Sequence, residues 1–144
     1  MTITYFQNHG VTITYDEQQQ LGIAEWNGFL NGQEFREAIT ACLQLMEEHK
    51  PLRWLGDNRK MKAMRQADQE WFVTEIMPKL HASSLLRNAV VVSEDFFNRA
   101  AVEQMYKRAA GLGDLVTREF QTRLDALQWL SEAALPRAQE QQQG

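Results

Sequence analysis

The chain has 144 residues, 44% apolar and 24% charged, with 15 Lys and Arg against 19 Asp and Glu for a formal net charge of −4. At this length roughly two thirds of the unfolded surface can be buried, so one domain supports a core without disulfide or metal. The acidic balance argues against a dedicated nucleic-acid binder, and no apolar run approaches the ~18 residues of a membrane span.

Residues 2–8 (TITYFQN) and 11–16 (VTITYD) alternate apolar with polar side chains around Asn8-His9-Gly10, and predict a hairpin. A third strand is expected over 21–29 (LGIAEWNGF), which completes an antiparallel meander. From Asn31 to Lys50 the apolar positions Phe35, Ala38, Ile39, Cys42, Leu43 and Met46 form one stripe of period 3.6. Asn31 is a good N-cap, Glu34 suits a capping box, and Pro51 stops this helix. A fourth strand is predicted over 51–57 (PLRWLGD), followed by a loop of ten residues, DNRKMKAMRQ.

A second helix starts near Asp68 through Trp71, Phe72, Ile76, Met77 and Leu80, with Pro78 expected to kink or break it. The run AVVV within 88–93 suits a central parallel strand covered on both faces. Ser93 is placed to cap a third helix through Phe97, Ala101, Met105 and Ala109, ended by Gly111-Leu112-Gly113. LVTREF (115–120) reads as a polar, near-edge strand, and Thr122 with Asp125 opens a last helix, RLDALQWLSEA. The result is an α/β fold: a mixed sheet with antiparallel N-terminal strands, then βαβαβα with right-handed crossovers and helices packed on the sheet. A single domain over 1–131 is expected, and residues 132–144 are read as the end of that helix and a disordered tail.

The chemistry the residues permit is narrow. Of Ser83, Ser84, Ser93 and Ser131, none lies in a G-x-S-x-G turn, and Cys42 falls inside the helical stripe as a core thiol. A lone cysteine also excludes an internal disulfide. His9, His49 and His81 share no ligand spacing, so no metal is expected. Gly111 and Gly113 follow a helix instead of opening one after a strand, which is the wrong order for a dinucleotide loop, and no cofactor is expected. No catalytic constellation emerges, and an enzyme is not expected.

One segment departs from the average. From Lys50 to Arg65 six cations face Asp57 alone, a local balance of +5 in a chain whose remainder carries −9. It follows the carboxyl end of the fourth strand, the edge where open α/β sheets bind ligands. Parallel neighbours should bring Trp26-Asn27-Gly28 and Ser93-Glu94-Asp95 to the same edge. Asn58, Arg59 and Lys60 then offer a contact for an anion or an acidic partner, against a reading as a solvated loop. Trp26 and Trp54 flank it as a partly open aromatic wall, while Trp71 and Trp129 read as core.

Trp26-Asn27-Gly28-Phe29, Trp54-Leu55-Gly56-Asp57-Asn58-Arg59, Gln69-Glu70-Trp71 and Ala126-Leu127-Gln128-Trp129-Leu130 together resemble SpoIIAA-like proteins of the STAS/SEC14 group, related to anti-sigma-factor antagonists. The resemblance covers residues 11 to 131 and implies a STAS-like fold. In signalling members an Asp at this strand end precedes a phosphorylatable Ser or Thr. Here Asp57 is followed by Asn58 and Arg59, and an Asn cannot accept a phosphoryl group, so the resemblance does not extend to the phospho-switch.

The expected function is a non-enzymatic cytoplasmic protein-interaction or regulatory module. It would bind an unknown, acidic protein partner through Asp57, Asn58, Arg59 and Lys60 with Trp26 and Trp54, and neither nucleic acid nor membrane. The opening MTITYFQNHG lacks the charged-then-apolar layout of an export signal, which agrees with that location. A homodimer through the exposed N-terminal strand edge is a further expectation. The alternative, implied by the SEC14 side of the group, is a carrier of a small or lipid-like ligand. Its apolar pocket would be walled by Trp26, Trp54, Met61 and Met64, with Arg59 or Lys60 on an anionic head.

Overall fold

The computed structural model describes residues 2–132. Its elements in order are β1 (Thr2–Asn8), β2 (Val11–Asp16), β3 (Leu21–Gly28), α1 (Gly32–His49), β4 (Arg53–Met61), α2 (Gln66–Trp71), a π-helical turn (Phe72–Ile76), α3 (Met77–Ala82), β5 (Arg87–Val91), α4 (Phe96–Arg108), β6 (Val116–Phe120) and α5 (Arg123–Ser131). The expected tail lies outside the described residues.

The six strands stand side by side in chain order. β1, β2 and β3 pair antiparallel, and β3 to β6 pair parallel, giving the mixed sheet expected. The hairpin turn is held by the Asn8 side chain, whose Oδ1 accepts from Gly10 N (2.8 Å) and Val11 N (2.9 Å). β1 carries a register shift between Thr4 and Phe6, which breaks the free edge of the sheet.

α1 forms as its stripe predicts. Asn31 Oδ1 accepts from Glu34 N at 2.8 Å while Glu34 Oε1 accepts from Asn31 N at 3.0 Å, a complete capping box. The helix stops one residue before Pro51, with Lys50 left-handed at φ 48°. Its buried face, with α2, α3, α4 and the π turn, covers one side of the sheet in the larger core cluster. α5 alone covers the other side, packing Ala126, Trp129 and Leu130 on Leu21, Leu55, Ala89 and Val91.

Four details depart from the sequence reading. β4 runs to Met61, so Asp57 to Met61 belong to a strand and not to a loop. β3 stays paired with them as far as Gly28, and that pairing outweighs their polar composition. The break expected at Pro78 is taken up upstream as the π turn, in which Met77 N donates to Phe72 O. Proline lacks the N–H that would bond the Thr74 carbonyl and its ring crowds that group, so the wider turn relieves both.

Asp95 and not Ser93 caps α4, accepting from Phe97 N and Asn98 N. The face α4 buries is Asn98, Val102 and Met105, so Phe97 is turned outward. Asn98 can take that place because its Nδ2 donates to Lys62 O at 2.8 Å.

β3 and β4 approach closely at Gly22, whose parallel partner is Trp54. A Cβ at Gly22 would overlap the Trp54 ring. Gly22→Ala is therefore expected to lower stability by about 1–3 kcal/mol through overpacking, measured by equilibrium urea unfolding.

Candidate functional site

The carboxyl ends of the parallel strands meet at one rim. Lys62 N donates to Gly28 O at 3.0 Å, Glu94 N to Arg59 O at 3.1 Å, and Ser93 Oγ to Met61 O at 2.7 Å. Residues 26–28, 57–62 and 93–98 are thus brought together as expected. β4 reaches the rim through a bulge: Glu25 pairs with Asp57 and Asn27 with Lys60, so three steps on β4 match two on β3. Such an irregularity re-aims side chains at a strand end.

On the α5 side of the bulge Asp57 is almost fully buried, at 2% exposure. Its Oδ1 accepts from Arg59 Nε at 2.9 Å, and its Oδ2 accepts from Arg59 Nη2 at 2.7 Å and from Arg123 Nη1 at 3.1 Å. Burial pushes the Asp57 carboxyl up, but the hydrogen bonds from Arg59 and Arg123 outweigh it and hold the group below the ordinary aspartate range. Arg123, at the start of α5, also lies 3.5 Å from Glu25, so this cluster ties α5 to two strand ends. A carboxylate clamped by two guanidiniums is a joint, with little basicity to act on a substrate.

Much of the basic segment is likewise engaged in contacts within the chain, at or near its surface. Arg53 Nη1 donates to Gln19 O, and Arg65 lies 3.4 Å from Asp68, which Arg36 approaches at 3.5 Å. Lys60 and Lys62 are exposed and make no ion pair among the described residues. On the adjoining chain ends, after β3 and at the start of α4, stand Phe29 (54% exposed), Phe96 (64%) and Phe97 (72%), the last two edge to face at 5.6 Å. Sequence reasoning missed these phenylalanines because Phe97 was assigned to the apolar stripe of the third helix and Phe29 to the end of the third strand, while Phe96 was given no role. Asp95 immediately before it was the available sign of a helix start, one position out of phase with that stripe.

On the other face of β4 Trp26 and Trp54 are buried, not a partly open wall, and Trp26 packs on Phe35 at 5.7 Å. They line an apolar cavity of about 80 Å³ with Gly56, Asn58, Met61 and Met64. Asn88 Nδ2 donates to Tyr106 OH at 3.1 Å at its far wall. Cys42 also lines it, and burial pushes that thiol up to about 12, far from a reactive thiolate. Asp57, Arg59, Asn58 and Lys60 therefore do not converge: the ion pair faces α5, Asn58 faces the cavity, and Lys60 is in solvent. No group of three metal-ligating side chains occurs among the described residues, and no helix among them is long and apolar enough to cross a membrane.

A family model described as SpoIIAA-like matches residues 21–131. Among solved structures, the chain is similar to the crystal structure of an uncharacterized protein of the DUF3478 family with a SpoIIAA-like fold, from Shewanella loihica PV-4. The TM-score is 0.56 at 17% identity, over 87% of this chain and 97% of that one, which supports the fold alone. No curated protein matches.

The Asp57 joint has a pH signature. A carboxyl whose folded value lies below its unfolded value gives stability that is present above about pH 4 and lost as pH falls through the folded value. Asp57→Asn is expected to cost about 1–3 kcal/mol at neutral pH and to flatten the acid limb, read from urea unfolding at a series of pH values.

Proposed function

The chain belongs to the SpoIIAA-like family, and on that premise we propose that it is a non-enzymatic interaction module that docks a protein partner at the carboxyl rim of its sheet. The observation that carries this reading is the exposed edge-to-face pair Phe96–Phe97 at the rim, with exposed Phe29, Lys60 and Lys62 on the adjoining chain ends. Large apolar side chains grouped in solvent mark interaction surfaces, and aromatic residues dominate their binding energy. The two lysines favour an acidic partner and speed its encounter. Arg59, held by Asp57, contributes position more than free charge. The buried, high-pKa Cys42 and the clamped Asp57 offer no nucleophile or base, in keeping with a module that binds without catalysis. The absence of a phosphorylatable hydroxyl after Asp57 means partner choice is not switched at this strand end.

The test is affinity capture with the wild type, a Phe96→Ser/Phe97→Ser variant and a Lys60→Glu/Lys62→Glu variant, each confirmed folded by its melting profile. Loss of about 2 kcal/mol per aromatic anchor predicts capture reduced more than about tenfold by the first. The charge variant should slow association more than it speeds release. A partner retained equally by all three removes the reading.

A second reading, the small-ligand carrier, is favoured by one observation: the cavity is walled by Trp26, Trp54, Met61 and Met64. Arg59 takes no part in it, because its guanidinium is on the α5 side with Asp57. Native mass spectrometry of freshly purified protein is expected to show a reproducible small adduct on this reading, and a clean apo mass counts against it.

A further inference from the structure

The rim carries both signs of charge around an aromatic centre. Phe96 and Phe97 meet edge to face at 5.6 Å on the first turn of α4, and both are largely in solvent. Before them in the chain stands Glu94, whose backbone N donates to Arg59 O at 3.1 Å. After them stands Asn98, whose Nδ2 donates to Lys62 O at 2.8 Å. The pair is therefore flanked along the chain by an acid on one side and by the contact that brings in Lys62 on the other. Glu94 and Lys62 are exposed, and neither makes an ion pair among the described residues. The Glu94 charge acts on Arg59, but that guanidinium is already bonded to Asp57.

The aromatic centre is held in place before anything docks. The Arg99 guanidinium lies 5.8 Å over the Phe96 ring while its Nη1 donates to Ser93 O at 3.0 Å. Asp95 fixes the helix start, accepting from Phe97 N and Asn98 N. Side chains ordered in advance lose less entropy on binding.

Charge decides what covers them. A wholly acidic partner would meet Lys60 and Lys62 but would set Glu94 against like charge. A surface with the same layout, turned by a two-fold axis through the phenylalanine pair, meets both signs. Glu94 of each copy then faces Lys62 of the other, with the rings at the axis. An isologous interface requires such self-complementarity. The whole chain agrees: six cations against one acid over residues 50–65, a balance of +5, leave −9 for the rest of a chain of −4. It is an acidic protein with one basic strip. The alternative seam between two copies, the edge of β1, is interrupted by the register shift between Thr4 and Phe6.

We infer that the occupant of this rim is a second copy of the chain, in a two-fold dimer with Phe96 and Phe97 at its centre and Glu94 of each protomer on Lys62 of the other. The inference rests on the docking reading above and names its partner.

Sedimentation velocity of the full-length protein at low salt, over a concentration series, reads the dimer directly. The variants change exposed side chains, and a melting profile confirms that each is folded. The wild type should pass from monomer to dimer as concentration rises, and added salt should weaken the dimer. Phe96→Ser/Phe97→Ser should weaken it more than about tenfold. Lys62→Glu and Glu94→Lys should each weaken it at least about tenfold, by setting like charges across the axis. The exchanged variant Lys62→Glu/Glu94→Lys should regain association. An equimolar mixture of the two single variants should form a heterodimer, although neither associates alone.

A wild type that stays monomeric throughout overturns the inference. So does a dimer indifferent to the phenylalanine or single charge variants, or single variants that neither the exchange nor the mixture restores. A monomeric protein that still captures another protein through Phe96 and Phe97 removes the second copy and keeps the docking reading. A monomer whose capture ignores those residues removes both.

Discussion

The architecture depends on one constraint: β3, β4, β5 and β6 are parallel, consecutive and adjacent, so every crossover steps in the same direction across the sheet. Crossovers of one hand stepping one way must put their helices on one face. That is where α1, the α2–α3 stretch and α4 lie, and only α5 after the last strand is free to cover the other face. The same constraint lines up the carboxyl ends of the strands. Gly28, the β4 end and the start of α4 become neighbours at the rim because no strand is inserted out of order.

The two faces then receive different chemistry from a single strand. Along β4, Leu55 and Asp57 point to α5, and Trp54, Gly56 and Asn58 line the deeper core. The buried charge on the thin side is met by Arg59 and by Arg123, so α5 is fastened through the same carboxylate that fixes the bulge. On the thick side α1, the α2–α3 stretch and α4 pack over the sheet around the apolar cavity. One strand thus supplies both a rigid joint and part of a cavity wall, and the rim at its end carries the exposed phenylalanines.

How far this could be read from residues alone depended on whether the signal was local. The stripe from Phe35 to Met46 and the capping pair Asn31–Glu34 specify α1, since both lie within one element. The hairpin turn at Asn8 and the cap at Thr122 were legible for the same reason. The end of β4 was not, because Asp57, Asn58, Arg59 and Lys60 have a loop's composition and become a strand only through pairing with β3 and the distant Arg123. The phase of α4 was lost because Asn98 is buried through a bond to Lys62, 36 positions away. Trp26 and Trp54 were read as a partly open wall, and their burial could not be seen in the sequence because it comes from Phe35 and the other helix residues packed over them.

The account's central claim is the rim: that β4 ends between the close of β3 and the opening of α4. Side-chain amide assignments and NOE spectra of the isotopically labelled protein test it most directly. The account predicts cross-peaks from the Asn98 side-chain amide protons to Lys62, and from Ser93 to Met61. Asn98 amide protons that show cross-peaks only within α4, with Ser93 remote from Met61, would contradict it.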